Sequence, residues 1–358
     1  MKIREVTVGD LPRFIQSDDY AELQPKPITP HRAMSQYNNP HAREEDIALI
    51  YAEENGQLVA FVGMLPHALT QSTDRVFSNS GWWVHPVLGR QMGLPLFFKA
   101  FQRCNQRMIF TDSPKYTQSI LVKTGLFTYF PPIYGTRYFM RFYQGKRLMT
   151  KNKAISSALS FTFTAMNSIC SLRYLFILKK RTRNPYTIKS MTQVSNDLDD
   201  FIKKHAEHAY LKQDRKKLNW ITTYPWITTQ TTAAGMNYPF SYKADQFKQE
   251  FLIFHDEVGT KAVFLLSIRD HHASIPFFYA EKNSLSDVSR LLLNKLIKEK
   301  VCSLIVFHKA LDTALKNAGH FWLFKKNIIR FTGFSNTLHP FFEEDGYFQD
   351  GDGDAAFT

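Results

Sequence analysis

The sequence predicts an α/β protein with mixed sheets, built as two tandem domains related by an internal duplication. Three observations lead to this fold class. Strand-like and helix-like segments alternate along the chain, and three segments of the first half recur in the same order in the second. The chain has 358 residues, whereas a single core rarely grows past about 250 to 300 residues, so its length favours two domains.

The first two repeats define the start of each half. DLPRFI at 10–15 matches DLDDFI at 197–202, and each follows an alternating segment that predicts a strand before a helix. ALIYAEENGQLVAFVGML at 48–65 matches FLIFHDEVGTKAVFLLSI at 251–268 without a gap. Each of these two segments joins apolar strands by an acidic turn that contains Gly56 or Gly259, which indicates a β-hairpin.

The third repeat pairs residues 107–127 with residues 303–322. In both, an apolar strand leads to an amphipathic helix that ends at a glycine, Gly125 or Gly319, as a helix C-cap favours. A last strand follows in each half, around 133–143 and 328–334. Three matches in one order favour a tandem duplication.

Charge and cysteine content limit the classes of partner and site. The formal net charge of +13 attracts anions, but the basic residues are dispersed, so nucleic acid is not an expected partner. Three cysteines, Cys104, Cys170 and Cys302, are far apart, and no histidine lies at zinc-ligand spacing. No metal site or disulfide framework is therefore expected. The N-terminus lacks the apolar core of a signal peptide, which predicts a cytoplasmic protein.

The corner at 80–101, SGWWVHPVLGRQMGLPLFFKAF, joins an aromatic strand to an apolar helix. Backbone amides of the turn and of the first helical turn can converge on one anion, a geometry that suits a pyrophosphate. Gly93 would allow close approach of the backbone, and Arg90 would add a charge-assisted contact. The alternative is a plain connection in which Gly93 relieves a tight turn.

The order of elements and this corner resemble the GNAT superfamily of acyl-CoA-dependent N-acyltransferases, in a tandem arrangement over nearly the whole chain. The family pattern is Arg or Gln, two residues, Gly, one residue, then Gly or Ala. Here Pro95 replaces the last small residue and removes an amide donor, and Pro86 lies one residue further from the arginine than usual. The resemblance implies acetyl-CoA or another acyl-CoA as co-substrate, bound by Trp83, Val84, Arg90, Gln91, Met92, Gly93 and Leu94.

Acyl transfer to an amine needs a base, donors for the oxyanion and an acid. Family members place a tyrosine acid where this chain has Leu121, so Tyr116, about one turn earlier, is the substitute candidate. Asp112 and His85 are the candidate bases because they lie at strand ends, where open α/β sheets hold ligands. Each residue has a structural alternative, which is packing for Tyr116, a helix cap for Asp112 and a strand cap for His85. The adjacent tryptophans of SGWWV equally suit a core, one on each face of a strand.

The predicted segments are an N-terminal GNAT-like domain at 1–147, an apolar helical linker at 148–184, a degenerate GNAT-like domain at 185–340 and an acidic tail at 341–358. The tail is expected to be solvated, with folding back on the basic body as the alternative. The second domain lacks a glycine at its corner, and Glu281 and Asp287 there would repel a phosphate.

The linker suits a helix packed between the domains, a helix lying on an anionic membrane surface through 154–178, or a transmembrane span. Trp220 and Trp226 suit either acceptor binding or packing of the second domain's helical layer.

The predicted function is transfer of a short acyl group from acyl-CoA to a small-molecule amine acceptor held between the domains. The protein would be cytoplasmic, or peripheral at a membrane. Two alternatives stay open: a tRNA-dependent aminoacyl transferase of the peptidoglycan-bridge type, and a non-catalytic binding module of GNAT fold. The fold class alone does not decide between them.

Overall fold

The computed structural model describes residues 1–89, 91–142, 161–172, 174, 185–229, 236–318, 322–342 and 345–357. The chain divides into two compact units, each with one seven-stranded mixed sheet. The first unit comprises Met1–Ile133, Gln193–Ala244 and Arg330–Thr358, and the second comprises Tyr134–Thr192 and Asp245–Ile329. Neither unit is a contiguous piece of chain, so the units differ from the predicted segments 1–147, 148–184, 185–340 and 341–358.

The sheet of the first unit contains β1 (Lys2–Thr7), β2 (Ile47–Glu54), β3 (Gln57–Ala68), β4 (Arg75–Val84), β5 (Met108–Phe110), β6 (Phe127–Tyr129) and β14 (Gly333–Ser335), numbered in chain order. The strand order is β1-β2-β3-β4-β5-β14-β6. Strands β1 to β4 pair antiparallel, whereas β5 is parallel to β4 and β14 is antiparallel to both of its neighbours. This mixed sheet confirms the predicted fold class.

The predicted hairpin of the first half is confirmed as β2 and β3. Glu54 faces Gln57 across the turn, and the two turn residues, Asn55 and Gly56, both have positive φ angles, 51° and 76°. Two such residues fit the twist of a tight hairpin. Nearly every side chain of both strands is buried, because helices cover both faces of the sheet.

Seven helices of the first unit lie in the described residues: α1 (Leu11–Phe14), α2 (Asp18–Glu22), α3 (Pro30–Tyr37), α4 (Gly93–Arg103), α5 (Lys115–Lys123), α7 (Asn196–His205) and α8 (Arg215–Thr223). Helix α4 buries Leu96, Phe97, Ala100 and Phe101. These positions share one helical face, and that face packs on the core of β2, β3 and β4. Helix α5 ends at Thr124, before Gly125 with φ +70°, as predicted.

The second unit contains β7 (Ile133–Phe139), β8 (Thr187–Met191), β9 (Phe247–His255), β10 (Thr260–Arg269), β11 (His272–Ala280), β12 (Ser303–Val306) and β13 (Phe324–Arg330). Its order is β13-β7-β12-β11-β10-β9-β8. Strands β9 and β10 form the second predicted hairpin, with His255 opposite Thr260. The described helices are α6 (161–172), α9 (Leu285–Lys298) and α10 (Lys309–Asn317). Gly319, the predicted end of the last helix, lies outside the described residues.

Each sheet takes a strand from the other half of the sequence. Strand β7 pairs with β12, from Thr136 opposite Val306 to Phe139 opposite Ser303, while β14 pairs with β5 and β6. Gly135 permits the first pairing, because a Cβ atom there would lie 2.5 Å from the Phe307 ring and 2.7 Å from the Val306 carbonyl oxygen. The last strand predicted around 133–143 is β7, which joins the sheet of the second half. The one predicted around 328–334 is divided between the end of β13, which stays in the second sheet, and the start of β14, which joins the first.

The predicted helical linker is described at 161–172 and at 174, and these residues are helical. Phe161, Ile169 and Leu172 on this helix are exposed, whereas Tyr174 is buried and its hydroxyl donates to the Met140 carbonyl at 2.5 Å. Among the described residues, no helix is both long and apolar enough to cross a membrane. The rest of 154–178 lies outside the described residues, so contact with a membrane surface stays a prediction.

The acidic tail is not solvated, and the alternative that it folds back on the protein is the one that the structure shows. Asp352 has no exposed surface, and its Oδ1 accepts hydrogen bonds from Lys217 Nζ and Gln213 Nε2, both at 2.9 Å. The Phe357 ring packs between Trp220 and Trp226, with centroids at 4.8 and 4.5 Å. The two tryptophans therefore have a packing role, but in the first unit and not in the second domain, where the packing alternative placed them.

Candidate functional site

Strands β4 and β5 run side by side for two residue pairs and then separate. Phe77 pairs with Met108 and Ser78 pairs with Ile109. Strand β5 ends at Phe110, whereas β4 continues to Val84 with β3 as its partner. An opening results between the carboxyl ends of two parallel strands, which is where open α/β sheets hold ligands.

The turn after β4 is organised by His85. Its amide donates to the Val59 carbonyl at 2.8 Å, and its carbonyl accepts from the Gly89 amide at 3.0 Å. Its imidazole Nδ1 accepts from the amides of Val87 and Leu88, each at 3.2 Å. The strand-cap alternative therefore describes this side chain. Because Nδ1 accepts, Nε2 carries the hydrogen of the neutral ring and lies 3.3 Å from Gln57 Nε2, so this tautomer has no free ring nitrogen to act as a base.

Two glycines let this turn and the start of α4 pack on the end of β4. A Cβ atom at Gly93 would lie 3.1 Å from Val84 Cγ2, which is a tight contact. At Gly89 it would lie 2.5 Å from Val84 Cγ1 and 2.6 Å from the Val59 carbonyl oxygen, so no other residue fits there without a backbone shift. Sequence analysis missed Gly89, although its position between a strand and an anion-binding helix start was the available signal.

Gly93 and Leu94 supply the first two amides of α4. The Leu96 amide donates to the Met92 carbonyl at 3.0 Å, and no other described residue accepts from Gly93 or Leu94. Both amides lie at the positive end of the helix dipole, where an anion is stabilised. Gln91 is exposed and Met92 is half-buried. Arg90 lies outside the described residues.

Exposed apolar side chains lie beside these amides. Val87 is 68% exposed, Leu88 45% and Leu94 40%. Trp82, on the same face of the sheet, stacks on Phe97 at 4.7 Å, and its Nε1 is buried without an acceptor among the described residues. The corner therefore combines amide donors with an apolar surface, which are the features that a pyrophosphate and its organic substituents would contact.

Trp83 packs on the opposite face of β4 from Trp82. Its ring stacks on Phe61 at 6.1 Å, and it contacts the core cluster formed by β1, β2, β3 and α1. The two adjacent tryptophans thus lie one on each face of the strand, as the core alternative predicts. Their backbone, like that of Val84, follows the edge of β4 that faces the opening.

Among the described residues, no hydrogen bond or ion pair joins the predicted catalytic residues Asp112, Tyr116 and His85 to one another. Leu121 is fully buried in α5, so the family's tyrosine position is part of the core. Tyr116 is 77% exposed in the first turn of α5. Asp112 is exposed after β5 and does not cap α5, which begins after Pro114 without a side-chain cap. Their catalytic roles stay predictions.

A cluster that sequence analysis missed lies against β4 at Gly81, whose φ is +154°. Arg32 of α3 is buried, donates from Nη1 to the Tyr238 hydroxyl at 2.6 Å and lies 3.8 Å above the Trp226 ring. Its Nη2 is 3.8 Å from the position that a Cβ of Gly81 would take. Burial raises the pKa of Tyr238 although the Arg32 charge opposes it. These residues are too far apart in sequence to form a motif.

The corresponding corner of the second unit is filled. Strands β11 and β12 pair from His272 to Ser274 and then separate. The His308 ring packs 4.0 Å from Phe278 across the place where they separate, and burial lowers its pKa to about 4. Glu281 pairs with Lys261 at 3.2 Å. Whether this unit binds a ligand stays a prediction, but its corner offers a carboxylate and packed rings.

Comparisons with known proteins agree with the topology. No protein-family model matches the sequence, and no curated protein is significantly similar to it. A probable N-acyltransferase from Enterococcus faecalis V583 is similar in structure, with 12% identity, 96% of this chain and 74% of that chain covered, and a TM-score of 0.51. A GCN5-related N-acetyltransferase from Kribbella flavida is also similar in structure, with 9% identity, 93% of this chain and 71% of that chain covered, and a TM-score of 0.50. The chain has the GNAT fold, in two tandem units.

Proposed function

We propose that the first unit is an acyl-CoA-dependent N-acyltransferase that moves a short acyl group to an amine. The observation that carries this proposal is the separation of β4 from β5 beside the start of α4, where the amides of Gly93 and Leu94 lie. A CoA pyrophosphate would accept hydrogen bonds from these amides, and its charge would be stabilised by the helix dipole. The apolar side chains of Val87, Leu88 and Leu94 would be covered by the bound co-substrate.

The chemistry follows from the position of the opening. A pantetheine arm bound along the edge of β4 would bring the thioester toward Gly81, where the strands have separated. Attack by an amine nitrogen on the thioester carbonyl forms the C–N bond, breaks the C–S bond and releases CoA. Burial between two strands would exclude water, which strengthens each polar contact with the developing charge.

Titration with acetyl-CoA tests the proposal. A ligand at 100 times its Kd stabilises the native state by about 2.7 kcal/mol, provided that it does not bind the unfolded state. For a unit of this size we expect the Tm to rise by roughly 5–10 °C, together with a saturable heat in calorimetry. An unchanged Tm and no heat at millimolar acetyl-CoA would remove the proposal.

Two substitutions at Gly93 distinguish the effect of side-chain charge on acetyl-CoA binding from the effect of side-chain size. Asp and Asn at position 93 have nearly the same volume, and both must accommodate the tight contact with Val84. We expect Gly93→Asp to lose acetyl-CoA binding, because a carboxylate beside the helix start repels the pyrophosphate, whereas Gly93→Asn keeps more of it. Equal affinity of the two variants would place the pyrophosphate elsewhere.

A further inference from the structure

The C-terminal segment brings one carboxylate to the opening between β4 and β5. Gly353, with φ +77°, lies against Thr111, the first residue after β5, so closely that a Cβ would collide with the threonine side chain. Asp354 follows directly. Phe357, held between the two tryptophans, and Asp352, paired with Lys217, fix the segment on both sides of this residue.

Four charged or titratable groups surround the Asp354 carboxylate. The charges of Arg32 on α3 and of Arg330, which belongs to the first unit, attract it, and the charge of Asp112 after β5 repels it. The Asp354 charge in turn raises the pKa of the Tyr238 phenol. Arg32 lies at Gly81 of β4. Asp354 is therefore linked to β4 through the charge of Arg32 and to the end of β5 through its neighbour Gly353.

This carboxylate is enclosed, but no described side chain holds it by a hydrogen bond. Its own backbone amide donates to it, whereas Asp352, two positions earlier, accepts from two side chains and from the Gln349 amide. Removal from water raises the pKa of Asp354. A carboxylate that no side chain engages is able to accept a proton.

We infer that Asp354 is the proton acceptor for the amine substrate in the first unit. The inference rests on the proposed acyltransferase function. As the amine nitrogen attacks the thioester carbonyl, one N–H proton moves to an oxygen of Asp354, the C–N bond forms and the C–S bond breaks with its electron pair on sulfur. The Asp354 carboxyl then returns the proton to the thiolate, so amine and acyl-CoA give amide and CoA thiol without another reactant.

Affinity labelling tests where Asp354 lies relative to the acyl group, whatever the natural amine is. Bromoacetyl-CoA carries an electrophilic carbon at the acyl position, and we expect it to alkylate Asp354→Cys stoichiometrically, with protection by excess CoA. The matched control is Asp345→Cys, an exposed position of the same C-terminal segment. The native cysteines, Cys104, Cys170 and Cys302, are buried, so the new thiol is the reactive one.

The outcomes of the labelling experiment distinguish failure of the Asp354 inference from failure of the proposed acyltransferase function. If Asp354→Cys binds CoA but is alkylated no faster than Asp345→Cys, the inference is wrong and the acyltransferase proposal survives. If the wild-type protein does not bind acetyl-CoA at all, the acyltransferase proposal fails first, and the inference fails with it.

A kinetic test uses the isosteric variant Asp354→Asn, which also serves if the cysteine variant does not fold. We measure CoA release from acetyl-CoA with n-butylamine as the acceptor. Loss of a general base lowers kcat by about 100-fold or more, with little change in the KM for acetyl-CoA, and removes the acidic limb of the pH profile. Unchanged kcat and pH profile in Asp354→Asn would overturn the inference. The control Asp345→Asn should have the kcat and pH profile of the wild type. If n-butylamine is not a substrate, the labelling of Asp354→Cys decides whether the inference stands.

Discussion

Replacing Asp352 by Asn tests how the C-terminal segment is held in the first unit. Lys217 Nζ lies 2.9 Å from Asp352 Oδ1, and the side chains are 3% and 0% exposed. At that distance the Coulomb attraction is about 6 kcal/mol with an effective dielectric constant of 20. Much of this offsets desolvation, but loss of one partner leaves the other charge buried, which costs about 3–5 kcal/mol. We expect Asp352→Asn to destabilise the segment by this amount.

Hydrogen exchange read by mass spectrometry measures this change locally. Amides of 349–357 should exchange at least about 100-fold faster in Asp352→Asn, since each 1.4 kcal/mol corresponds to a factor of ten. The double variant Lys217→Met, Asp352→Asn is the control, because it removes the unpaired ammonium and should be more stable than Asp352→Asn alone. A loss below about 1 kcal/mol in Asp352→Asn, or no recovery in the double variant, would refute the view that this ion pair holds the segment.

Two further predictions concern the turn after β4 and a buried histidine. Gly89→Ala should weaken acetyl-CoA binding at least about tenfold in calorimetry, since a Cβ collides with Val84 and the Val59 carbonyl and displaces the turn. The control is Gly125→Asn, at an open position with φ +70°, which should keep the wild-type affinity. Equal affinities of the two variants for acetyl-CoA would contradict the role of Gly89. His67 is buried, its pKa is well below the usual value because of burial, and Nε2 lies 2.8 Å from Ser78 Oγ. Below about pH 6.5 the unfolded chain binds a proton at His67 that the folded protein does not, so the contribution of His67 to the free energy of unfolding falls by about 1.4 kcal/mol for each unit by which the pH is lowered. Urea unfolding at pH 7.0 and 5.5 should therefore show a smaller loss of unfolding free energy in His67→Gln than in the wild type. An equal loss in the two proteins would contradict this prediction.

Features set by neighbouring residues were predictable from the sequence. Both hairpins follow from apolar strands around a turn with glycine, and the helix end at Gly125 follows from the need for a positive φ. The duplication itself is visible because each repeat is a local pattern. The helix after the corner was also predicted, and it begins at Gly93, since a helix after a strand and a glycine-containing turn needs no distant contact.

Features set by distant residues were not predictable. The exchange of β7 and β14 depends on which sheet edge each strand meets, and a single sequence records no such pairing. The acidic composition of the C-terminus suggested solvation, but the partner of Asp352 is Lys217, and Phe357 fits between two tryptophans more than a hundred residues earlier. Arg32, Gly81 and Asp354 likewise share no motif, so the cluster around the opening appears only in the folded chain.

The candidate site of the first unit is assembled from three separate pieces of sequence. The turn and α4 come from the first piece, Tyr238 and Trp226 from Gln193–Ala244, and Asp354 from Arg330–Thr358. A fragment ending near residue 147 keeps the amides of Gly93 and Leu94 but lacks Asp354 and the tryptophans that hold its segment. In the proposed mechanism, binding of CoA and proton removal depend on different parts of the chain, so damage to the C-terminal segment should reduce turnover before it reduces co-substrate affinity.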